Sequence, residues 1–327
     1  MEHANTALDL SFYGDFRTIG TLYWENRAGL HAMAEIAAAA SDAAAETLVR
    51  RHAITHFVFC TEDDVLDEIL RLARPHASAD ELNQAFAPRI FRSDEIPSWL
   101  RALPEVTLAS SPSGTRVQIF AVDSTQTAGE AQFHLANMLA QRGETARALA
   151  AFTRSATLGF APAALRRAEF LLAAQRWNEA IPALEQAIAG APPAARYRLL
   201  TQAGEWLAEG RQHGAAARFF ERALHEQVTD TRAANGLAWL LATAAEVTPA
   251  QRDFARRLAQ QSTRLDPSVP ESWSALGAAL AATGDWSGAL RALERAEKLV
   301  IANTPSALLK RLAAQREAYL AGRLYRN

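Results

Sequence analysis

The chain has little of several residue types that mark whole classes of protein. It contains one cysteine, Cys60, so an intrachain disulfide is excluded. No stretch approaches the roughly 18 consecutive apolar residues of a membrane-spanning helix. The first residues, MEHANTALDL, lack the basic start and apolar segment of a signal peptide. We therefore expect a chain that does not cross a membrane, with the cytoplasm as its default compartment.

The motifs of common catalytic sites are missing as well: the sequence has no glycine-rich phosphate loop, no nucleophile elbow and no CxxC pair. His52 and His56 lie on either side of a predicted helix-to-strand transition, so we interpret them as structural rather than metal-binding. We interpret Cys60 as a buried thiol rather than the nucleophile of a hydrolase. The carboxylates of 62–64 are typical of a helix N-terminus. The polar and aromatic cluster 23–27 fits either a ligand site at a strand end or loop packing. We predict no enzyme activity, no cofactor and no metal.

Lysine is scarce, and the charges are divided unevenly. Residues 1–127 carry ten arginines, no lysine and 18 acidic residues, for a net charge of −8. Residues 128–327 carry 24 basic and 18 acidic residues, for a net charge of +6. The arginines alternate with glutamates and do not cluster with aromatic residues, so a nucleic-acid partner is not indicated. We interpret the charges as a mixed solvated surface, with attraction between the two parts as the alternative.

The sequence is rich in small residues that return at a regular period in its last 200 positions. Successive anchors lie 32, 36, 39 and 34 residues apart, at Ala148, Ala180, Ala216, Ala255 and Ala289. A period near 34 residues predicts stacked helix–turn–helix units. We expect five units near 129–160, 161–194, 195–228, 231–267 and 270–301, followed by a terminal cap over 305–326.

The first 123 residues have a different pattern, which predicts a mixed α/β arrangement. Segments 16–24 and 54–60 have strand composition, and the helical segments between them predict a right-handed crossover and a parallel pair. The other expected elements are helices over 29–40, 43–52, 62–73, 80–87 and 96–103, and a hairpin of 106–109 with 116–122 that closes the sheet. The polar segment 123–128 marks the domain boundary.

The repeat resembles the tetratricopeptide repeat (TPR). The fifth unit carries the pattern most fully, at Trp273, Leu276, Gly277, Leu280, Gly284, Trp286, Ala289, Leu293 and Ala296. The first unit matches at Leu135, Ala136, Leu139, Gly143, Ala148 and Phe152. The predicted fold class is therefore α+β: a small α/β domain with a short mixed sheet over 1–127, about five TPR units forming an all-α solenoid over 128–302, and a capping helix over 303–327.

The resemblance implies a protein–protein interaction scaffold that binds a protein or peptide segment on the concave face formed by the first helix of each unit. The residues that it places on this face are Phe133, Asn137, Arg198, Glu205, Glu209, Asn235 and Trp239. For Trp239, core packing is the alternative to a ligand platform. The family's carboxylate clamp is not evident, because Phe133 stands where a clamp lysine is expected.

The N-terminal part is similar to the soluble periplasmic tail of bacterial GT-C-type membrane glycosyltransferase-like proteins. Segments 20–26 (GTLYWEN), 49–58 (VRRHAITHFV) and 97–100 (PSWL) carry this similarity. It implies an alternative function: a detached accessory portion without the catalytic loops, on the periplasmic side of the inner membrane and associated with a membrane protein.

Overall fold

The computed structural model describes residues 27–60, 65–93, 95–104, 106–107, 116–301 and 304–326. The chain forms two compact units, Met1–Arg167 and Ala168–Asn327. The elements that begin in the first unit are α1 (Arg27–Ala37), α2 (Asp42–Arg51), β1 (His56–Cys60), α3 (Val65–Ala73), α4 (Ala79–Asn83), α5 (Phe86–Arg92), β2 (Leu100–Ala102), β3 (Val106–Thr107), β4 (Arg116–Val122), α6 (Ala128–Gln141), α7 (Thr145–Thr157) and α8 (Ala161–Ala173). The further elements of the second unit are α9 (Trp177–Ala189), α10 (Pro193–Glu209), α11 (His213–Glu226), α12 (Thr231–Thr243), α13 (Pro249–Leu265), α14 (Pro270–Ala282), α15 (Trp286–Lys298) and α16 (Ser306–Leu320). The predicted domain boundaries at 127/128 and 302/303 stay predictions.

The described sheet of the first unit is antiparallel. β4 pairs with β1 on one edge, from His56 opposite Ala121 to Cys60 opposite Val117. β2 and β3 pair with opposite ends of β4, so the predicted hairpin partners do pair. The predicted parallel partner of β1, segment 16–24, lies outside the described residues. Among the described strands the predicted mixed sheet is therefore not observed.

One predicted helix of the first unit was wrong. We expected a helix over 96–103, but Leu100–Ala102 forms β2, in which Leu100 and Ala102 are buried and Arg101 is exposed. This alternation is the period of a strand that is buried on one face. A turn at Pro97, whose carbonyl accepts a hydrogen bond from the Leu100 amide at 3.0 Å, precedes the strand. Pairing with β4 outweighs the local helical pattern.

Aromatic side chains form the core between the sheet and the helices of the first unit. Phe86 of α5 is fully buried, and its ring lies 5.6 Å from those of Phe57 and Trp99, measured between centroids. Phe59 and Phe120 meet edge to face at 6.0 Å. Ring pairs of this kind each add about 0.5–1.5 kcal/mol of stability beyond the burial of their surface. Side-chain packing of this kind therefore helps to stabilise a sheet of short strands.

The helices of the repeat follow the order that the period predicts. From α6 to α15 they form five successive pairs in the chain whose ends lie close to the expected bounds, and α6 packs on α7, α10 on α11, α12 on α13 and α14 on α15. The anchor residues of the repeat are all fully buried: Ala148, Ala180, Ala216, Ala255 and Ala289 each have 0% exposure. Small side chains at these positions let helix backbones approach closely. Helices dominate the described residues, so the α+β label fits only weakly. None of the described helices combines the length and apolarity that a bilayer crossing requires.

Local sequence explains where the helices of the repeat begin and end. Thr127 and Thr248 cap α6 and α13. Each threonine side chain accepts a hydrogen bond from the backbone amide three residues on, and the side chain of that residue accepts one from the threonine amide, so two amides that the helix leaves free are satisfied. Gly143 and Gly284 have φ of 76° and 85°, a left-handed turn that glycine adopts without strain. Gly210 also lies between paired helices, and the sequence predicts the same left-handed turn there, but its φ is −77°.

The last helix, α16, caps the stack by packing on α14 and α15. Gln315 is fully buried; its Oε1 accepts from the Ser274 hydroxyl at 2.7 Å, and its Nε2 donates to the Tyr319 hydroxyl at 3.1 Å. Burial raises the pKa of Tyr319 to about 12. The terminal cap that we predicted over 305–326 ends as a helix at Leu320.

We expect Tyr319 to ionise late, because burial disfavours the phenolate. A spectrophotometric titration of the wild type and of Tyr319→Phe should differ by one tyrosine with a midpoint near 12. The folded-state pKa exceeds that of the unfolded chain, so the stability from this group is present below about pH 10 and is lost as the pH rises through the folded pKa. A difference curve centred at pH 10 would show that Tyr319 is accessible to water.

Candidate functional site

The predicted partner-binding residues lie on first helices of three of the pairs. Phe133 and Asn137 belong to α6 of the first unit, and the other five belong to α10 and α12 of the second. In the second unit the first helices α10, α12, α14 and the cap α16 lie side by side in one layer. The structure therefore brings the α10 and α12 residues together. We call these two helices, with their side chains on this layer, the α10–α12 face.

On α6, the two predicted residues contact each other and their own unit. The half-buried ring of Phe133 lies 5.1 Å from that of Phe160 and 5.9 Å from that of Phe152. Asn137 Nδ2 donates to the Phe133 carbonyl at 2.9 Å, and its Oδ1 accepts from Arg166 Nε at 3.5 Å. Phe133 is thus largely a packing residue, and Asn137 is the more polar part of this surface.

On α10, the predicted residues form one row along the helix. Arg198, Glu205 and Glu209 are spaced by seven and four residues, so they share one helix face. Arg198 and Glu209 are exposed. Arg198 Nε donates to the hydroxyl of Tyr197 at 3.0 Å, and this bond raises the pKa of the guanidinium. A partner would meet both signs of charge along this row.

Glu205 is paired within the protein. Arg232 Nε donates to its Oε1 at 3.0 Å, and Arg232 Nη2 contacts Oε2, so the two groups form a bidentate bridge from α12 to α10. This bridge raises the pKa of Arg232. Next to it, the Thr201 hydroxyl donates to Asp230 Oδ2 at 2.5 Å. Ion pairs near the surface contribute about 0–1 kcal/mol each to stability. These contacts therefore align two neighbouring helix pairs more than they stabilise them.

On α12, both predicted residues are largely buried. Asn235 is 9% exposed, and its Nδ2 donates to Ser272 Oγ of α14 at 2.8 Å. Its Oδ1 has no hydrogen-bond partner among the described residues. Ser272 also lies 3.2 Å from Ser262 through their hydroxyl oxygens. Asn235 therefore joins α12 to α14 and offers a partner little surface.

Trp239 is covered by the C-terminal segment of the same chain. Its ring is 9% exposed, lies 5.6 Å from the ring of Tyr325, and has the guanidinium of Arg311 at 4.7 Å. Trp239 is thus buried, as the core-packing alternative expects, by side chains from later in the same chain. A role as ligand platform stays a prediction.

The sequence-based prediction missed Arg311, Tyr325 and Arg326. α16 ends in a Schellman motif: the Arg323 amide donates to Ala318 O at 2.9 Å, and Gly322 has φ 62°. A glycine just after the last periodic residue is a stop signal that could have placed this end. The course of the chain beyond the glycine depends on non-local contacts that no local pattern reports.

Where the structure describes the other candidate sites, they give no catalytic arrangement. His52 caps the end of α2 and His56 lies in β1, so they occupy different elements as predicted. The carboxylates of 62–64, most of the cluster 23–27 and the side chain of Cys60 lie outside the described residues. Within the part of the chain that is described, no three His, Cys, Asp or Glu side chains form a group that could hold a metal ion.

A polar cleft of about 890 Å³ lies in the first unit. Its basic lining residues are Arg89, Arg92, Arg147 and Arg154. Arg89 contacts Asp42, and Arg147 contacts Glu144. Since carboxylates already neutralise part of this charge, the cleft does not define a site for an anionic substrate.

Comparison with known proteins finds no matching family model and no matching curated protein. Solved structures of TPR-containing and related helical proteins are similar in part. YrrB, described as a TPR protein with an unusual peptide-binding site, is 21% identical, covers 55% of this chain and 90% of its own, and gives a TM-score of 0.41. MamA is 14% identical, covers 54% of this chain and 98% of its own, and gives 0.43. Pseudomonas aeruginosa pilF is 16% identical, covers 58% and 88%, and gives 0.39.

At these identities and scores the similarity assigns neither a partner nor a mode of binding to this chain. The helix pairs described above define a helical-repeat protein on their own, and their bounds agree with the TPR pattern in the sequence. The similarity of the N-terminal part to glycosyltransferase tails is not shown by any comparison. It stays a prediction from the sequence, and segment 20–26 lies outside the described residues.

Proposed function

We propose that this chain is a non-catalytic interaction scaffold that binds a protein segment on the concave face formed by the first helices of its TPR pairs. The observation that carries the proposal is the row of Arg198, Glu205 and Glu209 on α10, next to Arg232 at the start of α12. These side chains present both signs of charge on a surface made of two neighbouring helix pairs. An extended peptide that runs across the first helices would contact several helix pairs at once, as expected of a stacked repeat.

The structure suggests which residues of this face are available to a partner. Arg198 and Glu209 are exposed, whereas Glu205 is paired with Arg232 and Asn235 is buried. Charged residues at an interface edge contribute mainly to specificity and association rate. We therefore assign Arg198 and Glu209 to direct recognition, and Glu205 to the alignment of the face.

The test is capture of partners by the full chain, followed by affinity measurement with the captured protein. The double variant Arg198→Ala/Glu209→Ala removes one charge of each sign from the α10 row. We expect it to weaken the partner by about 1 kcal/mol or more if the row contains an interface anchor, which is roughly fivefold in Kd. Glu205→Ala should give a similar loss, because it releases Arg232.

The second helix of the same pair offers a matched control. Arg218 and Glu221 are exposed on α11, so Arg218→Ala/Glu221→Ala removes the same two charges from the other side of the pair. This control should bind the partner like the wild type. If both double variants keep full affinity, or if both lose it equally, the α10–α12 face is not the binding surface.

A further inference from the structure

The chain after α16 turns back onto the α10–α12 face. Leu324 and Tyr325 pack against the core of the last helix pair, and the Tyr325 ring reaches Trp239 of α12. Arg326 Nη1 donates to Thr243 O at 3.3 Å and also contacts Ala244 O. The last described residues of the protein thus reach α12. We call residues 321–326 the tail.

The carboxyl end of α12 is a natural acceptor for a cation. The last carbonyls of a helix have no partner within it, and they form the negative end of the helix dipole. In α12 the chain leaves the helix at Ala244, which has extended φ and ψ of −62° and 148°. The Thr243 hydroxyl bonds back to Trp239 O at 2.9 Å. The carbonyls of Thr243 and Ala244 are therefore turned towards the guanidinium of Arg326.

Trp239 supplies an aromatic surface next to these carbonyls. One contact of its ring is with Arg311 of the cap, in cation–π geometry at 4.7 Å, and another is with Tyr325. An aromatic side chain and a cation placed next to each other on an extended segment match both features of this site. In the structure, Tyr325 and Arg326 are such a pair.

The tail itself is held by few contacts. Gly322, Arg323 and Arg326 are exposed, and Leu324 and Tyr325 are half-buried. Among the described residues, the hydrogen bonds made by 324–326 come from the Arg326 guanidinium alone. A tethered segment reaches local concentrations in the millimolar range, so weak contacts suffice to keep it in place. A partner segment with the same two side chains can therefore replace it.

We propose that Trp239 and the last carbonyls of α12 form a receptor for an aromatic residue followed by arginine in a partner segment, and that Tyr325 and Arg326 occupy it as an internal competitor. The proposal rests on the proposed function, because Trp239 and the end of α12 belong to the α10–α12 face. It specifies the chemistry of the partner: an extended segment with a Tyr-Arg or similar aromatic–basic pair. Binding of the partner and release of the tail are then one exchange.

The experiment uses the chain of residues 1–327 and a labelled peptide, GRLYRN, which is the sequence of residues 322–327. Fluorescence anisotropy measures its binding to the wild type and to Tyr325→Ala/Arg326→Ala, whose tail cannot compete. We expect the double variant to bind the peptide at least about tenfold more tightly than the wild type, since an internal ligand lowers apparent affinity by its own occupancy. The control peptide GRLAAN should bind neither protein.

A change in the receptor tests the position of the site. Adding Trp239→Ala to the double variant should remove the gain in peptide affinity. Because Trp239→Ala removes a buried ring, Trp239→Phe is made in parallel, and circular dichroism and thermal unfolding are recorded for each protein. Trp239→Phe keeps an aromatic ring and should retain part of the affinity.

Three results would overturn the proposal: equal peptide binding by the wild type and the double variant, equal binding of GRLYRN and GRLAAN, or binding that does not depend on Trp239 in folded protein. The outcome is separable from that of the proposed function. If the peptide fails to bind while a captured partner still requires Arg198 and Glu209, the scaffold role stands, and the tail only stabilises the fold through its packing contacts. If the peptide binds while no partner is captured on the face, the receptor stands and the scaffold role fails.

Discussion

Replacing Phe220 with alanine should lower the free energy of unfolding by about 3–5 kcal/mol, the usual loss for a large buried aromatic side chain. Phe220 of α11 is 1% exposed, and its ring fills the space between two glycines of successive first helices, Gly204 of α10 and Gly236 of α12. Without the ring, the two helices would face a cavity that their backbones cannot close. Equilibrium unfolding in urea, followed by circular dichroism, measures the loss.

Phe254 provides the matched comparison for this change. It lies on α13, the second helix of the next pair, and is 38% exposed. Phe254→Ala should cost less than about 1 kcal/mol, because surface substitutions away from packed features have small effects. A similar loss for Phe220→Ala and Phe254→Ala would show that the space between α10 and α12 is not tightly packed.

The second large effect is expected from adding a single methyl group at Gly236. A Cβ at this position would lie 2.4 Å from Cζ of Phe220. The ring cannot move away, because on its other side a Cβ at Gly204 would lie only 2.6 Å from Cε1. Overpacking of this kind costs about 1–3 kcal/mol. Urea unfolding of Gly236→Ala should show a loss in this range.

Gly214 is the control, since a Cβ there meets nothing within 4 Å. Gly214→Ala, in the first turn of α11, should not destabilise the protein and should raise its stability by no more than about 0.5–1 kcal/mol, because alanine is the better helix former. A double-mutant cycle then identifies the group that the new methyl group contacts. In the Phe220→Ala background Gly236→Ala should no longer destabilise, with an interaction energy of about 0.5–3 kcal/mol. Equal effects of Gly236→Ala in both backgrounds would show that the Phe220 ring is not what it meets.

This packing also bears on the proposed binding surface. Phe220 sets the separation of α10 and α12, and these helices carry the Arg198 row, the Glu205–Arg232 bridge and Trp239. The spacing of the groups that a partner would meet is thus fixed by a buried residue of the second helix. Small residues on the first helices make this possible, because they let one large ring reach both backbones.

The sequence predicted the repeat well because the signal is local and periodic. Small residues at a fixed period, prolines at helix starts and glycines after helix ends each act within a few residues of their position. Gly284 is an example, since its left-handed φ of 85° follows from its place between two helical patterns. Gly210 shows the limit. It was expected to act in the same way, but a Cβ there would lie 2.3 Å from Trp177 Cη2. Its role is close packing against the preceding pair, while Arg211 takes the left-handed conformation, with φ 58°.

The candidate site was predicted less completely. Arg198 and Glu209 are exposed on the first helix α10, and their part in binding stays a prediction. The family pattern could not tell that Glu205 is paired with Arg232, 27 residues further on, or that Asn235 is buried against Ser272. Both contacts join neighbouring helix pairs of the second unit, and their geometry depends on how those pairs stack.

The sequence by itself determined the helix pairs, their order and the buried small residues between them, because helix periodicity, caps and turns are encoded in neighbouring positions. Only the tertiary structure decided that β2 is a strand, that Phe220 spans two glycines, and that Tyr325 and Arg326 return to Trp239 and the end of α12. Each of these depends on contacts between residues far apart in the chain. Such contacts form only once folding has brought those elements together, so no local pattern carries them.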